Sequence, residues 1–353
     1  MKKYIILGLL ILVIGSMIIV PMLQNKDDNT EIIAAQFDFK DNLATKWNRE
    51  VPIGITVSTN GIKKLDLVYN DNVIKTWKNP KGKLSFNLDA GYFGLGTRTI
   101  SLISTMESGE ILSDNRLVRV LSDVKPAIWF AKVENSYPHL ATSYTQGLEF
   151  NNGILYEGTG QYGQSMVAQT NLSNGTVSPS KNIRLDENYF GEGITVFGEN
   201  VYQLTWKENK CFVYNKNTMQ LIKDIPYTGE GWGLCNDGKS LIMSDGSERI
   251  TFRDPANFSI LRTIEVYDDQ GPIQQINELE YIDGKIYANV YTTNRIIVID
   301  PANGKVIAII EGEQIEKAGR GLGEVMNGIA YNNGKIYMTG KHWDKLFEVS
   351  ISK

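Results

Sequence analysis

The chain of 353 residues has only two cysteines, Cys211 and Cys235, and two histidines, His139 and His342. Two cysteines allow one disulfide or two buried free thiols, and the sequence leaves both open. The histidines lie far apart with no ligand spacing around them, which argues against a zinc site. Neither sign of charge dominates, at a formal net −4. No basic stripe interleaved with aromatics appears, so nucleic acid is excluded as a partner. Few windows carry a long 3.6-residue period, which excludes a helical protein. What is plentiful is glycine (33), tyrosine (17) and tryptophan (6), spread over short alternating runs. That grammar belongs to an all-β chain.

A single long apolar run stands out, from Tyr4 to Leu23, preceded by Lys2 and Lys3. About 20 apolar residues span a bilayer, and the flanking lysines favour the cytoplasmic side. Residues 1–24 therefore read as an uncleaved signal anchor, with a cleaved signal peptide as the alternative. Either way the body of the protein is expected outside the cytoplasm, membrane-anchored or secreted. No cysteine lies near the end of the run, which excludes a lipid-modified cysteine anchor. Gln24 to Thr30 read as a polar linker.

Residues 31–124 alternate in short runs such as Ile53–Ser58, Lys64–Tyr69, Lys83–Leu88 and Thr97–Ile103, with turns at Asn60-Gly61, Asn79-Pro80 and Ser108-Gly109. Roughly seven strands in this space predict an immunoglobulin-like sandwich. It holds no histidine, cysteine or acidic cluster, and reads as a spacer or docking module.

Beyond residue 127 the chain repeats itself. Five times a hydrophobic strand, a turn and a second strand recur, beginning near Gly147, Gly193, Gly233, Leu279 and Gly328. A second hairpin follows the first four copies, at a spacing of about 40 to 49 residues. Four strands per unit at this period predict a five-bladed β-propeller over 127–353. The fifth copy is one strand short, and Trp129–Asn135 is expected to complete it, closing the ring.

Chemistry-bearing residues recur at one point of each repeat. They are Gln146, Glu192 with Phe190, Trp232, Asn277 with Glu278, and Asn327; Trp206 and Lys341 fall at strand ends. Converging on one mouth, these side chains form a small-molecule or peptide-end pocket. Glu192, between Gly191 and Gly193 and near aromatics, is a candidate general acid/base, its glycines allowing a tight turn and close approach to a ligand. Taken singly, Trp206 and Trp232 suit packing between blades equally well, Lys341 suits a solvated strand end, and Glu278 and Glu280 suit structural hydrogen bonds.

The segments YTQGLEF, LYEGTGQYGQS, YFGEGITVFGENVYQLTW, GEGWGLCNDGKSLIMSDGS, INELEYIDGKIYANVY, LGEVMNGIAY and TGKHWDKLFEVS cover almost all of this region in order. The region from about Tyr137 onward resembles the glutamine cyclotransferase family, the plant and bacterial type of glutaminyl cyclase. The resemblance implies a five-bladed propeller that converts N-terminal glutaminyl residues of peptides or proteins to pyroglutamate with release of ammonia. It implies Glu192 as general acid/base and Gln146, Phe190, Trp206, Trp232, Asn277 and Lys341 as substrate-binding residues. Tyr291 stands where the plant enzymes have Trp, which bears on the fit of the substrate side chain. No metal is expected in catalysis; a structural calcium in the central channel is implied by the family.

Internal attack of an α-amine on a γ-amide needs mainly a curled substrate, which aromatic walls supply. One carboxylate of raised pKa can take the amine's proton and pass it to the leaving nitrogen. Asn277, Trp232 and Lys341 are the donors available to a developing oxyanion. The alternative is a non-catalytic extracellular propeller binding a protein or glycan, which needs the mouth but not the acid. A propeller lactonase with channel calcium calls for more carboxylates at the equivalent positions than this chain has.

Overall fold

The computed structural model describes residues 33–353. The expected signal anchor at 1–24 lies outside these residues; among the described residues no helix is long and apolar enough to cross a membrane. Among the described residues nearly every regular element is a β-strand, the exceptions being a short 3-10 turn at Ala90–Phe93 and a helix at Glu313–Gly319.

Residues 35–121 form eight strands in two sheets, one more than the pattern predicts. One sheet joins Ala35–Phe37, Glu50–Val57 and Lys83–Asp89; the other orders Leu43–Lys46, Ile111–Leu121, Gly96–Met106, Ile62–Tyr69 and Asn72–Lys78. The alternating runs put every second side chain inward, so Ile53, Ile55, Leu65, Leu67, Ile100, Leu102, Val118 and Val120 share one core. Against the repeat region this unit sets Arg98 on Glu265 at 2.8 Å and Asp123 on Lys305 at 2.6 Å.

The repeats form three four-stranded antiparallel sheets and one eight-stranded sheet. The eight-stranded sheet contains the fourth and fifth copies, joined by Ala127–Pro138. That long strand pairs in parallel with Val306–Glu311 through Ala127–Phe130, and antiparallel with Lys345–Ser352 over most of its length. The turns within the first hairpins have a local cause. Asn152-Gly153, Asp283-Gly284 and Asn333-Gly334 all have positive φ at both residues, the conformation of a tight two-residue hairpin that Asn/Asp-Gly pairs favour.

The first strands of the five copies, Thr145–Asn151, Gly191–Phe197, Leu234–Asn236, Ile276–Ile282 and Met326–Asn332, are buried along most of their length. Each touches the next, and the fifth touches the first. The apolar cores follow the same order. One packs the first copy on the second, others the second on the third, the third on the fourth and the fourth on the fifth; the last packs Leu148 and Leu155 on Ala330, Tyr337 and Leu346. No sheet buries both faces by itself, so the stability of each depends on its neighbours.

Candidate active site

The five first strands begin at the same end of the ring, and four of them open with an irregularity in register. The breaks fall at Thr145/Gly147, Gly191/Ile194, Ile276/Leu279 and Met326/Ile329. A bulge re-aims the side chains beside it. Gln146, Glu192, Asn277 and Asn327 all sit within these bulges. The glycine after the pocket residue has a different reason from the tight turn expected. A Cβ on Gly193 would lie 2.5 Å from the Leu234 amide nitrogen, and one on Gly233 would lie 1.9 Å from the Asn277 carbonyl oxygen. Glycine here lets neighbouring first strands meet backbone to backbone.

The eight residues Gln146, Phe190, Glu192, Trp206, Trp232, Asn277, Tyr291 and Lys341 line one cavity of about 200 Å³, joined by Tyr144, whereas Glu278 and Asn327, also expected at the mouth, do not line it. The walls are aromatic and edge-on to each other. Phe190 meets Trp206 at 5.6 Å between centroids and Tyr144 at 6.1 Å, while Trp232 meets Tyr291 at 5.7 Å. Edge-to-face geometry of this kind is the favoured arrangement of aromatic pairs.

At the floor a polar chain fixes the carboxylate. The Gln146 Nε2 donates to Glu192 Oε1 at 3.0 Å. The Gln146 Oε1 accepts from Lys341 Nζ at 2.8 Å and from Asn327 Nδ2 at 3.3 Å. An ammonium only donates, so Lys341 turns the amide oxygen toward itself and the amide nitrogen toward Glu192. Gln146, expected to line the substrate, thus also bridges Lys341 and Glu192. Burial pushes Glu192 well above the ordinary carboxylate range; Lys341 opposes this, and Glu208 and Glu230 add to it. Burial likewise lowers Lys341 to about 8, against the pull of Glu192 and Glu324. The Lys341 ammonium lies 4.2 Å from the Tyr144 ring centre and 5.0 Å from that of Tyr291. Asn277 Oδ1 is buried without a hydrogen-bond partner.

One expected donor is already engaged. The Trp232 Nε1 donates to Glu230 Oε2 at 3.0 Å, so it does not face the cavity as a free oxyanion donor. Two residues of this site were not among the expected ones. Tyr144 stands two before Gln146 just as Phe190 stands two before Glu192, and Glu230 sits in Gly229-Glu-Gly231, the same pattern as Gly191-Glu-Gly193. Repetition was the signal in both cases. The two cysteines are free and buried, and burial raises both thiols. His139 is also buried, bonded to Glu157 at 3.1 Å and to the Trp343 carbonyl at 2.7 Å, away from the pocket.

The profile of the family described as Glutamine cyclotransferase matches residues 103–351. The chain belongs to this family. A glutaminyl-peptide cyclotransferase of Arabidopsis thaliana is 34% identical over 231 residues, covering 63% of this chain and 71% of the plant protein. The crystal structure of Myxococcus xanthus glutaminyl cyclase superposes with a TM-score of 0.61 at 36% identity, over 65% of this chain and 99% of that one. The family match starts within the N-terminal unit, earlier than the segments near Tyr137 indicate.

Proposed function

We propose that this protein is a glutaminyl-peptide cyclotransferase with Glu192 as its single general acid/base. The observation that carries the reading is a buried carboxylate, held by one amide, at the floor of an aromatic cavity sized for one curled residue. Family membership and the two relatives support the same activity.

An N-terminal glutaminyl residue enters with its chain curled between the Phe190–Trp206 and Trp232–Tyr291 walls, which supplies the orientation that ring closure needs. Glu192 takes a proton from the α-ammonium, and the freed amine attacks the γ-carboxamide carbon. The C–N bond to the amide nitrogen then breaks as Glu192 returns that proton to it; the ring nitrogen sheds its second proton to the carboxylate so freed, and the proton departs with the ammonia as ammonium. A raised pKa suits both halves of this exchange. Asn277 Oδ1 is placed to accept from a substrate N–H, and the Asn277 amide and Lys341 are the donors available to the developing oxyanion. The rival binding propeller needs no buried, oriented acid and is not favoured.

The ring of five first strands, each touching the next, and the five cores between consecutive copies support a five-bladed propeller over 127–353. The two-sheet unit over 31–124 supports an immunoglobulin-like sandwich. The apolar run at 1–24 supports an extracytoplasmic site of action, membrane-anchored or secreted. For the structural calcium of the central channel, Glu149 and Glu280, which line one cavity, are the carboxylates that could contribute hard oxygen ligands. Among the described residues no three His, Cys, Asp or Glu side chains cluster as metal ligands, so backbone carbonyls would have to complete its shell.

The test is ammonia release from a Gln-initiated dipeptide by the full-length chain, with Glu192→Gln and a chelator in parallel. Turnover that survives chelation and is lost in the variant is the expected result. Absence of turnover from folded protein would return the pocket to the binding reading.

A further inference from the structure

The two indole walls of the cavity come from different sheets, yet one oxygen atom holds both. Glu230 Oε2 accepts from Trp206 Nε1 at 2.8 Å and from Trp232 Nε1 at 3.0 Å. Glu230 Oε1 faces Lys207 Nζ at 3.7 Å, and that ammonium lies 3.8 Å from the centre of the Trp206 ring. The backbone carrying Glu230 is itself pinned. The Gly231 N–H donates to the Trp206 carbonyl at 2.9 Å, and a Cβ on Gly231 would lie 2.2 Å from the Tyr227 hydroxyl. Glu230 is not among the residues that line the cavity, so it acts behind the walls.

Resting on the cyclotransferase reading above, we propose that Glu230 is a positioning residue that sets the planes of Trp206 and Trp232, and through them the curled shape of the substrate. An indole has a single N–H donor, so one acceptor fixes the ring against rotation about its side-chain bonds. Trp206 meets Phe190 and Trp232 meets Tyr291, so this one carboxylate couples both aromatic pairs. Ring closure is sensitive to the attack geometry, and displacements of about 1 Å can cost about 100-fold.

The experiment compares Glu230→Ala with Glu230→Gln on a Gln-initiated dipeptide. The glutamine amide oxygen still accepts from both indoles but carries no charge. The expected result is a fall in kcat/KM of about 10- to 100-fold for E230A and of about 3-fold or less for E230Q. Glu230→Met, close in shape and without an acceptor, replaces E230A should the alanine protein unfold. In a W206F/W232F background, which keeps aromatic walls and removes both N–H groups, the cost of E230A should shrink to about 3-fold or less. Equal losses in E230A and E230Q, an unimpaired E230A, or an undiminished cost in the double-Phe background would each overturn the proposal. A readout independent of turnover separates it from the activity reading. In 15N spectra the Trp206 and Trp232 indole N–H signals should move in E230A and stay close to their wild-type positions in E230Q. Inactive wild-type protein that shows this pattern would sink the cyclotransferase reading and leave the positioning role standing.

Discussion

Glu192 and Glu278 are both buried, but in opposite ways. At the pocket end Glu192 has one side-chain partner and faces a cavity. Deeper along the ring Glu278 takes the Leu148 amide on Oε1 at 3.1 Å and the Ile329 amide on Oε2 at 2.9 Å. Glu280 takes the Tyr331 amide at 2.9 Å, and Glu149 takes the Val196 amide at 3.1 Å and the Thr195 hydroxyl at 2.6 Å. Burial raises all four carboxyls, Glu149 to about 7. A shifted pKa therefore does not by itself single out a catalytic acid. What separates Glu192 from Glu278 is where the lone pairs point; Glu149 and Glu280 lie between these cases, each with one oxygen bonded and a cavity beside it. Glu278 spends both oxygens on backbone of the first and fifth copies, whereas Glu192 keeps capacity for a substrate proton.

The sharpest way to break this contrast is to neutralise each kind in turn. Glu192→Gln should lower kcat by about 100- to 10,000-fold while the protein stays folded, measured by ammonia release and circular dichroism. Glu278→Leu should do the reverse, costing about 2–6 kcal/mol because two buried N–H groups lose their acceptors, read from denaturant unfolding. A Glu278→Leu protein as stable as wild type would end the staple reading.

The proton linkage gives a subtler test. Glu192 is raised in the fold above its unfolded value near 4.5, so between these two values the native state binds more protons. Its contribution to stability is complete below about 4.5 and is lost as pH rises through the folded pKa. The melting temperature of Glu192→Gln relative to wild type should therefore climb over that window. A flat difference would mean that Glu192 is not shifted. In kcat/KM the acid limb should lie above the ordinary carboxylate range and move higher in Lys341→Met, because Lys341 holds the Glu192 pKa down. An acid limb that stays put would remove Lys341 from the circuit. The smallest effect is expected of Tyr291→Trp, which keeps an aromatic edge on Trp232 and should alter KM by about 3-fold or less. A larger change in steady-state KM would mean that the tyrosine hydroxyl itself matters.

How much of this was legible in the residues follows from periodicity. The first strands, their tight turns and the residues at their openings repeat at fixed points, so Gln146, Glu192, Trp232 and Asn277 of the pocket, and Asn327 behind Gln146, could be aligned without coordinates. The helix at Glu313–Gly319 was missed, because seven residues in one copy leave no repeat and little period. The free donor assigned to Trp232 was misjudged for another reason. Which acceptor an indole finds depends on a contact between loops, and Glu230 lies only two residues from Trp232 but also reaches Trp206 from another sheet. Likewise the glycines around Glu192 were visible, but their purpose was not, since the atoms they make room for belong to the next copy.

The strand at Ala127–Pro138 has a kinetic meaning. Its partner at Lys345–Ser352 emerges from the ribosome long after it, and Glu134 and Ser350, joined by a hydrogen bond, stand 216 positions apart. Pairing at such separation requires closing a long loop, so it is slow compared with the local hairpins that make up each copy. Until it forms, both Ala127–Pro138 and the fifth copy present open edges, the kind that recruit strands from other chains. For this molecule the dangerous interval in biogenesis is the wait for one late strand to find an early one.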